Sequence, residues 1–320
     1  MTVALSGALD DVHLPPAGAL GPEDVHVRRS SSPFFTVAAR RHTLACGGGA
    51  VEYVHCLRSG VRVRIDARAR RIDAHVTRSG ALDVIEMLRD LSLKHHENLG
   101  AVPVHATSAV RDGRALLIAG AKGAGKTSLL LELVERQGWS ILSGDRSLLL
   151  FDGDAAAPRV AGWPDYPHLG EATVAAYRGL PAMAGLPESF TPSPARAFSP
   201  LEKVPLPPGP FRQRFPIAEP AARPPLVGVL YPRIGPGPTT FTEVSGRGAE
   251  ATRRGLLASA VESGFEGPHA FWTHFLDDAR GAQRARRRRV LDAAAQVPAW
   301  QVEGDCRLDG GPLVPLRQAG

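Results

Sequence analysis

Apolar and charged residues alternate one for one in Val61-Arg62-Val63-Arg64-Ile65-Asp66, and again in Ile72-Asp73-Ala74-His75-Val76. Period-two alternation marks a strand with one face in a core and the other in solvent. Phe34-Phe35-Thr36-Val37-Ala38 reads as a further strand, and so does Val51-Glu52-Tyr53-Val54-His55-Cys56-Leu57 after the Gly47-Gly48-Gly49 turn. Together these predict a small antiparallel β-rich subdomain over 33–100. The stretch 1–32, with Pro15-Pro16 and Ser30-Ser31-Ser32, reads as loop-like. The period then changes: Leu82, Ile85, Leu88 and Leu91 recur every three residues, which predicts an amphipathic helix over about 81–98 that closes the subdomain. His95 and His96 fall at its end, where the C-terminal carbonyls favour a cation.

From Val102 to Phe151 the pattern is strand, hairpin turn at Asp112-Gly113, strand, loop, helix, strand, strand. Ala115-Leu116-Leu117-Ile118-Ala119 is an apolar run of buried-strand length, and Ser128 to Gln137 reads as a helix stopped by Gly138. Over 158–225 the frequency of proline excludes regular sheet or a long helix, so this segment is expected to be an irregular, partly mobile insertion carrying substrate recognition. Beyond it, strands are predicted over 226–231 and 239–244, helices over about 249–263 and 268–296, and a last strand over 299–303. The fold class is therefore α/β, and the region 101–320 reads as one domain that includes the insertion.

The chemistry lies between the buried strand and the helix. Gly120-Ala121-Lys122-Gly123-Ala124-Gly125-Lys126-Thr127 is a complete G-x-x-x-x-G-K-[ST] loop in its proper strand–loop–helix setting. Its glycines let backbone N–H groups, with those of Ser128, face phosphate oxygens at a helix N-terminus that carries about half a positive charge. Lys126 is expected to bridge the β- and γ-phosphates and the Thr127 hydroxyl to hold Mg²⁺. Lys122 either adds charge opposite the phosphates or stays solvated. The expected ligands are a nucleoside triphosphate, taken as ATP, and Mg²⁺.

Two flanking strands sharpen the picture. Val104-His105-Ala106-Thr107 lies upstream, and Ile141-Leu142-Ser143-Gly144-Asp145-Arg146-Ser147 lies downstream. With the loop, these resemble the HPr kinase/phosphorylase group of the phosphoenolpyruvate-carboxykinase-like superfamily, in which a histidine strand, the loop and a D-D-R-type strand assemble one site. The resemblance covers about 101–151, and 297–302 is similar to the group's closing strand. It implies a P-loop core of the HPr-kinase type and an ATP-dependent kinase phosphorylating a hydroxyl of a peptide, protein or small molecule, with homo-oligomeric assembly open. It also implies a metal role for Asp145, against the alternative of a cap or surface acid, and a catalytic role for His105 in orienting the acceptor or donating to departing charge. The group's first aspartate is Gly144 here, its E-I-R-G-L-G signature survives only as Tyr177-Arg178-Gly179-Leu180, and its N-terminal sheet is unlike this one. Phosphorylation of HPr itself is therefore not expected. A nucleotide-binding regulator is the alternative function. Arg146 either pairs with Asp145 or reaches substrate, and Lys203 is expected to close over the site. Trp163-Pro164-Asp165-Tyr166-Pro167-His168 is either the rim of an acceptor pocket or a packed turn.

Composition adds exclusions. The 43% hydrophobic and 22% charged content fits ordinary packed cores. No apolar run approaches the roughly 20 residues of a membrane span, and no secretory signal is recognised, which makes a cytoplasmic setting the expectation. Cys46, Cys56 and Cys306 lack metal-ligand spacing and read as buried thiols. The net charge of +6 comes mostly from dispersed arginine. The dense run Arg284, Arg286, Arg287, Arg288 and Arg289 falls in a helical pattern and reads as a solvated face, so nucleic acid is not an expected partner. Two of the four lysines lie inside the loop.

Overall fold

A computed structural model describes residues 2–6, 24–29, 36–46, 49–56, 59–66, 71–77, 80, 92–151, 157–163, 168–193, 203–219, 222–265 and 280–308. The chain divides into two compact units, 1–99 with 263–280 and 100–262 with 281–320.

The first unit is built on a six-stranded sheet in the order β1-β6-β5-β4-β3-β2. The strands are β1 (Thr2–Ser6), β2 (Asp24–Arg29), β3 (Thr36–Cys46), β4 (Gly49–Cys56), β5 (Arg62–Asp66) and β6 (Arg71–His75). Every pairing is antiparallel except β1 with β6. The alternation in β5 divides as its period requires: Val63 and Ile65 are buried, while Arg64 lies on the other face, 3.3 Å from both Asp66 and Asp73. Two strands, β1 and β2, fall within the stretch read as loop-like. Both are edge strands of the sheet, and Val25-His26-Val27-Arg28 carries the alternation that could have shown the second. Of the helix expected over 81–98, residues 92–98 are helical and 81–91 lie outside the described residues. Buried Glu97 on that helix accepts hydrogen bonds from the Ser263 hydroxyl at 2.8 Å and the Gly264 N–H at 2.9 Å.

The second unit is mixed α/β. Its main sheet runs β10-β8-β9-β15-β17-β16, from β8 (Ala106–Arg111), β9 (Arg114–Ala119), β10 (Ser140–Ser143), β15 (Leu226–Ile234), β16 (Thr240–Glu243) and β17 (Ala299–Gly304). The central three, β9, β15 and β17, are parallel, and the outer pairings are antiparallel. The apolar run of β9 is continuous because both faces are covered. Leu116 and Ile118 pack with the helix Lys126–Gln137, and Ala115, Leu117 and Ala119 pack on the opposite side with Leu257, Val290 and Leu291. A second sheet, β12-β11-β7, combines β7 (Val102–Val104), β11 (Ser147–Leu150) and β12 (Arg159–Gly162). No helix among the described residues is long and apolar enough to cross a membrane.

The described part of the proline-rich insertion consists of short pieces that pack on the core. It holds a two-stranded sheet, β13 (His168–Gly170) with β14 (Lys203–Pro205), and short helices at Glu171–Ala176, Leu180–Met183 and Pro208–Arg214. Leu169, Val174, Leu180, Leu206, Phe211 and Phe215 are buried in the same core as the helix Lys126–Gln137. Proline breaks the regular structure into short pieces without preventing apolar side chains between the breaks from packing. At its base, Val160 N–H donates to the Pro224 carbonyl at 2.9 Å and Leu226 N–H to the Pro158 carbonyl at 2.8 Å.

The arginine run lies on the helix Arg280–Ala295, where Arg284, Arg286, Arg288 and Arg289 are exposed. Cys306 and Cys56 are buried. Burial pushes the Cys306 thiol up to about 12, with the charge of Glu132 acting in the same direction. Because the thiolate is the reactive form, Cys306 in the native protein is expected to resist iodoacetamide at pH 8 and to react once urea unfolds the chain. Peptide mapping by mass spectrometry measures this.

Candidate functional site

The loop 120–127 leaves β9 and enters the helix Lys126–Gln137. Gly125 occupies the N-cap with φ 95° and ψ 18°, and no side chain caps this helix. Its first N–H groups are thus left to the solvent side of the loop, where an anion can take them. Ala124 accepts a hydrogen bond from the Ile234 N–H at 3.1 Å, which ties the loop to the end of β15. A methyl group on Gly125 would overlap the Ile234 side chain, so glycine is required there for space as well as for φ. Ala121, Lys122 and Gly123 are exposed, while Gly120, Ala124, Thr127 and Ser128 are half-buried. Ser128 Oγ sits 3.0 Å from Thr173 Oγ1, which joins the helix to the insertion.

Lys126 is buried and folds back on its own loop, donating to the Gly120 carbonyl at 2.8 Å and the Ala121 carbonyl at 3.2 Å. Burial pushes its ammonium down to about 8; Asp145 and Glu262 oppose the fall and Lys203 adds to it. Lys203, on β14 opposite Gly170 of β13, is therefore close enough for its charge to be felt at Lys126.

His105 does not sit within a strand. It occupies the break between β7 and β8, where the chain passes from one sheet to the other. Its N–H donates to the Ala260 carbonyl at 2.7 Å instead of to a sheet neighbour. Asp145 lies in the turn between β10 and β11, and β10 runs in the same direction as β9 with β8 between them. The Ser143 hydroxyl donates to the Arg146 carbonyl and so closes this turn.

A residue that the motifs do not reveal completes the cluster. Glu262 Oε1 is 3.3 Å from His105 Nδ1, and its Oε2 accepts from Arg146 Nε at 2.7 Å. Asp145 Oδ1 is 3.8 Å from the same His105 nitrogen. Burial alone would raise the Glu262 carboxyl, but the adjacent His105 ring and the Arg146 guanidinium hold it well below the usual carboxylate range. Arg146 is thus engaged with Glu262. The predicted helix over 249–263 hid this residue: the helix ends at Ala258, and Val261 bridges Val104 while the Glu262 N–H donates to the Pro103 carbonyl at 2.9 Å. Val261, a β-branched residue two positions before the Ser263-Gly264 pair, is the local hint of that ending.

Other sequence candidates go elsewhere. The Tyr177 hydroxyl donates to Glu132 Oε1 at 2.8 Å on the loop helix, and burial raises its pKa. Leu180 is a core residue. Trp163 is buried and His168 exposed, while residues 164–167, the body of the proposed acceptor rim, lie outside the described residues.

The Thr127 hydroxyl and the Asp145 carboxylate are hard oxygen donors of the kind Mg²⁺ takes. Among the described residues no three His, Cys, Asp or Glu side chains form a metal cage. A Mg²⁺ ion carried by a nucleotide keeps water and phosphate ligands and needs only one or two protein oxygens. No protein-family model matches this sequence, and a search of curated proteins finds no match.

Proposed function

We propose that this chain is an ATP- and Mg²⁺-dependent phosphotransferase of the HPr-kinase type, acting on a hydroxyl of a peptide, protein or small-molecule acceptor. The observation that carries the reading is the uncapped helix N-terminus behind Gly125, with buried Lys126 aimed back along the loop. The loop's own carbonyls take the Lys126 ammonium, and the charges of Asp145 and Glu262 are felt there as well. An array of N–H groups and one half-desolvated ammonium is suited to a polyphosphate.

ATP supplies the γ-phosphoryl group, and Mg²⁺ offsets charge on its oxygens. The residues of the chain do the rest by position. Backbone N–H groups of 121–128 cradle the phosphates, and Lys126 exchanges its two carbonyl partners for β,γ-oxygens. Thr127 and Asp145 would hold the metal, the latter across from the loop. Lys203 brings a second cation from the insertion, and His105 orients the acceptor hydroxyl. Stabilising charge at fixed positions is what phosphoryl transfer chiefly requires.

The second reading is a nucleotide-binding regulator, favoured by Gly144 at the position of the kinase group's first aspartate. Incubation with γ-labelled ATP, Mg²⁺ and an extract of the source cells separates the two. Label in one small-molecule, peptide or protein fraction, absent with Lys126→Ala, is the expected result and names the acceptor class. Tight ATP binding with label confined to ATP or free phosphate would favour the regulator.

A further inference from the structure

We propose that Glu262 is a positioning residue that holds His105 with its proton on Nδ1, leaving Nε2 as the nitrogen that accepts a hydrogen bond from the acceptor's hydroxyl. The acceptor half of this statement rests on the phosphotransferase reading; the hold on the ring does not.

The backbone holds both residues in place. The Val104–Val261 bridge is flanked by His105 N–H to the Ala260 carbonyl and Glu262 N–H to the Pro103 carbonyl, at 2.7 and 2.9 Å. This short ladder fixes the main chain of both residues independently of their side chains. Arg146, itself buried, then holds one carboxylate oxygen of Glu262 at 2.7 Å, which leaves the other oxygen facing the imidazole.

On the imidazole, Nδ1 is fully buried and has carboxylate oxygens at 3.3 Å from Glu262 and 3.8 Å from Asp145. A bare Nδ1 would set its lone pair against the Glu262 carboxylate, whereas an N–H there meets attraction from it. At 3.3 Å the contact is longer than a well-formed hydrogen bond, as is common in sites without their substrate. The sign of the charges, more than the length, places the proton. A histidine's tautomer is set by the partner of one nitrogen, and the other nitrogen takes the complementary role. His105 is 28% exposed, so the ring is open to an incoming group.

This also answers what replaces the carboxylate absent at Gly144. An acceptor hydroxyl needs a group to receive its hydrogen bond and set its angle of approach. A neutral Nε2, held in register by Glu262, supplies that group without adding a negative charge beside the phosphates.

Nitrogen-15 NMR of the full chain with labelled histidine tests the hold directly, with the His105 signals assigned by their loss in His105→Gln. At alkaline pH, where imidazole is neutral, wild-type His105 is expected to show the Nδ1–H form, and Glu262→Leu is expected to shift it to Nε2–H. Wild-type His105 in the Nε2–H form would overturn the proposal, and that measurement needs no variant to fold. Persistence of Nδ1–H in Glu262→Leu would overturn it as well.

Activity supplies the second arm, read as transfer of label from γ-labelled ATP. Glu262→Leu is expected to lower kcat by roughly 10- to 100-fold, with the Kd for ATP changed by less than about twofold. In a His105→Gln background the same substitution is expected to cost nothing further, because its effect passes through the ring. An undiminished loss in that background would mean that Glu262 acts through Arg146 or the fold, and the proposal fails. If the wild type transfers no label at all, the phosphotransferase reading fails and takes the acceptor role with it, while the tautomer still decides the hold.

Discussion

Lys126→Ala is expected to weaken ATP binding by roughly 10- to 150-fold, the range for losing hydrogen bonds to a charged partner. The loss in phosphoryl transfer should be larger, by about another 10²- to 10³-fold, because negative charge builds on the leaving β-phosphate as its bond to the γ-phosphorus loosens. The same change should not destabilise the protein. Lys126 is a buried cation that donates to two carbonyls of its own loop, and its ammonium already holds its proton less firmly than an exposed lysine does. Replacing it removes a charge that burial disfavours. Titration calorimetry with ATP and thermal melting of the same samples check both halves. A Kd within twofold of wild type would refute the site, and a lowered melting temperature would mean that the carbonyl contacts of Lys126 hold the loop together.

Gly125→Ala is the second large effect. Gly125 and Gly138 cap opposite ends of one helix, both with positive φ, 95° and 67°. For Gly138 an added Cβ meets nothing within 4 Å, so alanine there should cost only the left-handed backbone, about 1–2 kcal/mol. For Gly125 the added methyl also overlaps Ile234, and crowding of that kind adds about 1–3 kcal/mol. Urea denaturation should therefore rank Gly125→Ala below Gly138→Ala by that second amount. ATP binding should fail in Gly125→Ala alone, because relief of the overlap moves the N-cap away from Ile234. Equal stability of the two variants would show that β15 yields more easily than the loop does.

What was legible in the sequence was local. The glycine loop between a five-residue apolar run and a helix can be recognised because spacing and period sit within some twenty residues of one another. Alternation placed β5 and β6 for the same reason, and the apolar run of β9 proved to be covered on both faces, Leu116 and Ile118 on one and Leu117 on the other. What was illegible depends on distant partners. Glu262 becomes a site residue only because Val261 bridges Val104, a pairing that no periodicity in 249–263 announces. His105 reads as a strand residue because Val104 and Ala106 both are; that they belong to different sheets is a fact of topology. In the proline-rich insertion, the prolines masked apolar positions such as Leu206, Phe211 and Phe215, which are too widely spaced to show a period yet pack against the loop helix. Strands β1 and β2 were passed over because each lies alone among glycine, proline and serine.

The two hydrogen bonds that join 158–160 to 224–226 make the base of the proline-rich insertion a closed stem. Its ends meet on the core whatever lies between them, so the cost of bringing them together changes by only about 0.6 kcal/mol for each doubling of length. The backbone pairing of β9 with β15 bypasses the head beyond that stem, but Leu169, Val174, Leu206 and Phe215 share a core with Leu116, Ile118 and Leu230, so an exchanged head must keep those apolar positions filled. Substitutions confined to exposed positions of the head, with that packed face kept, would change what the loop 120–127 faces while leaving the stem and the sheet in place.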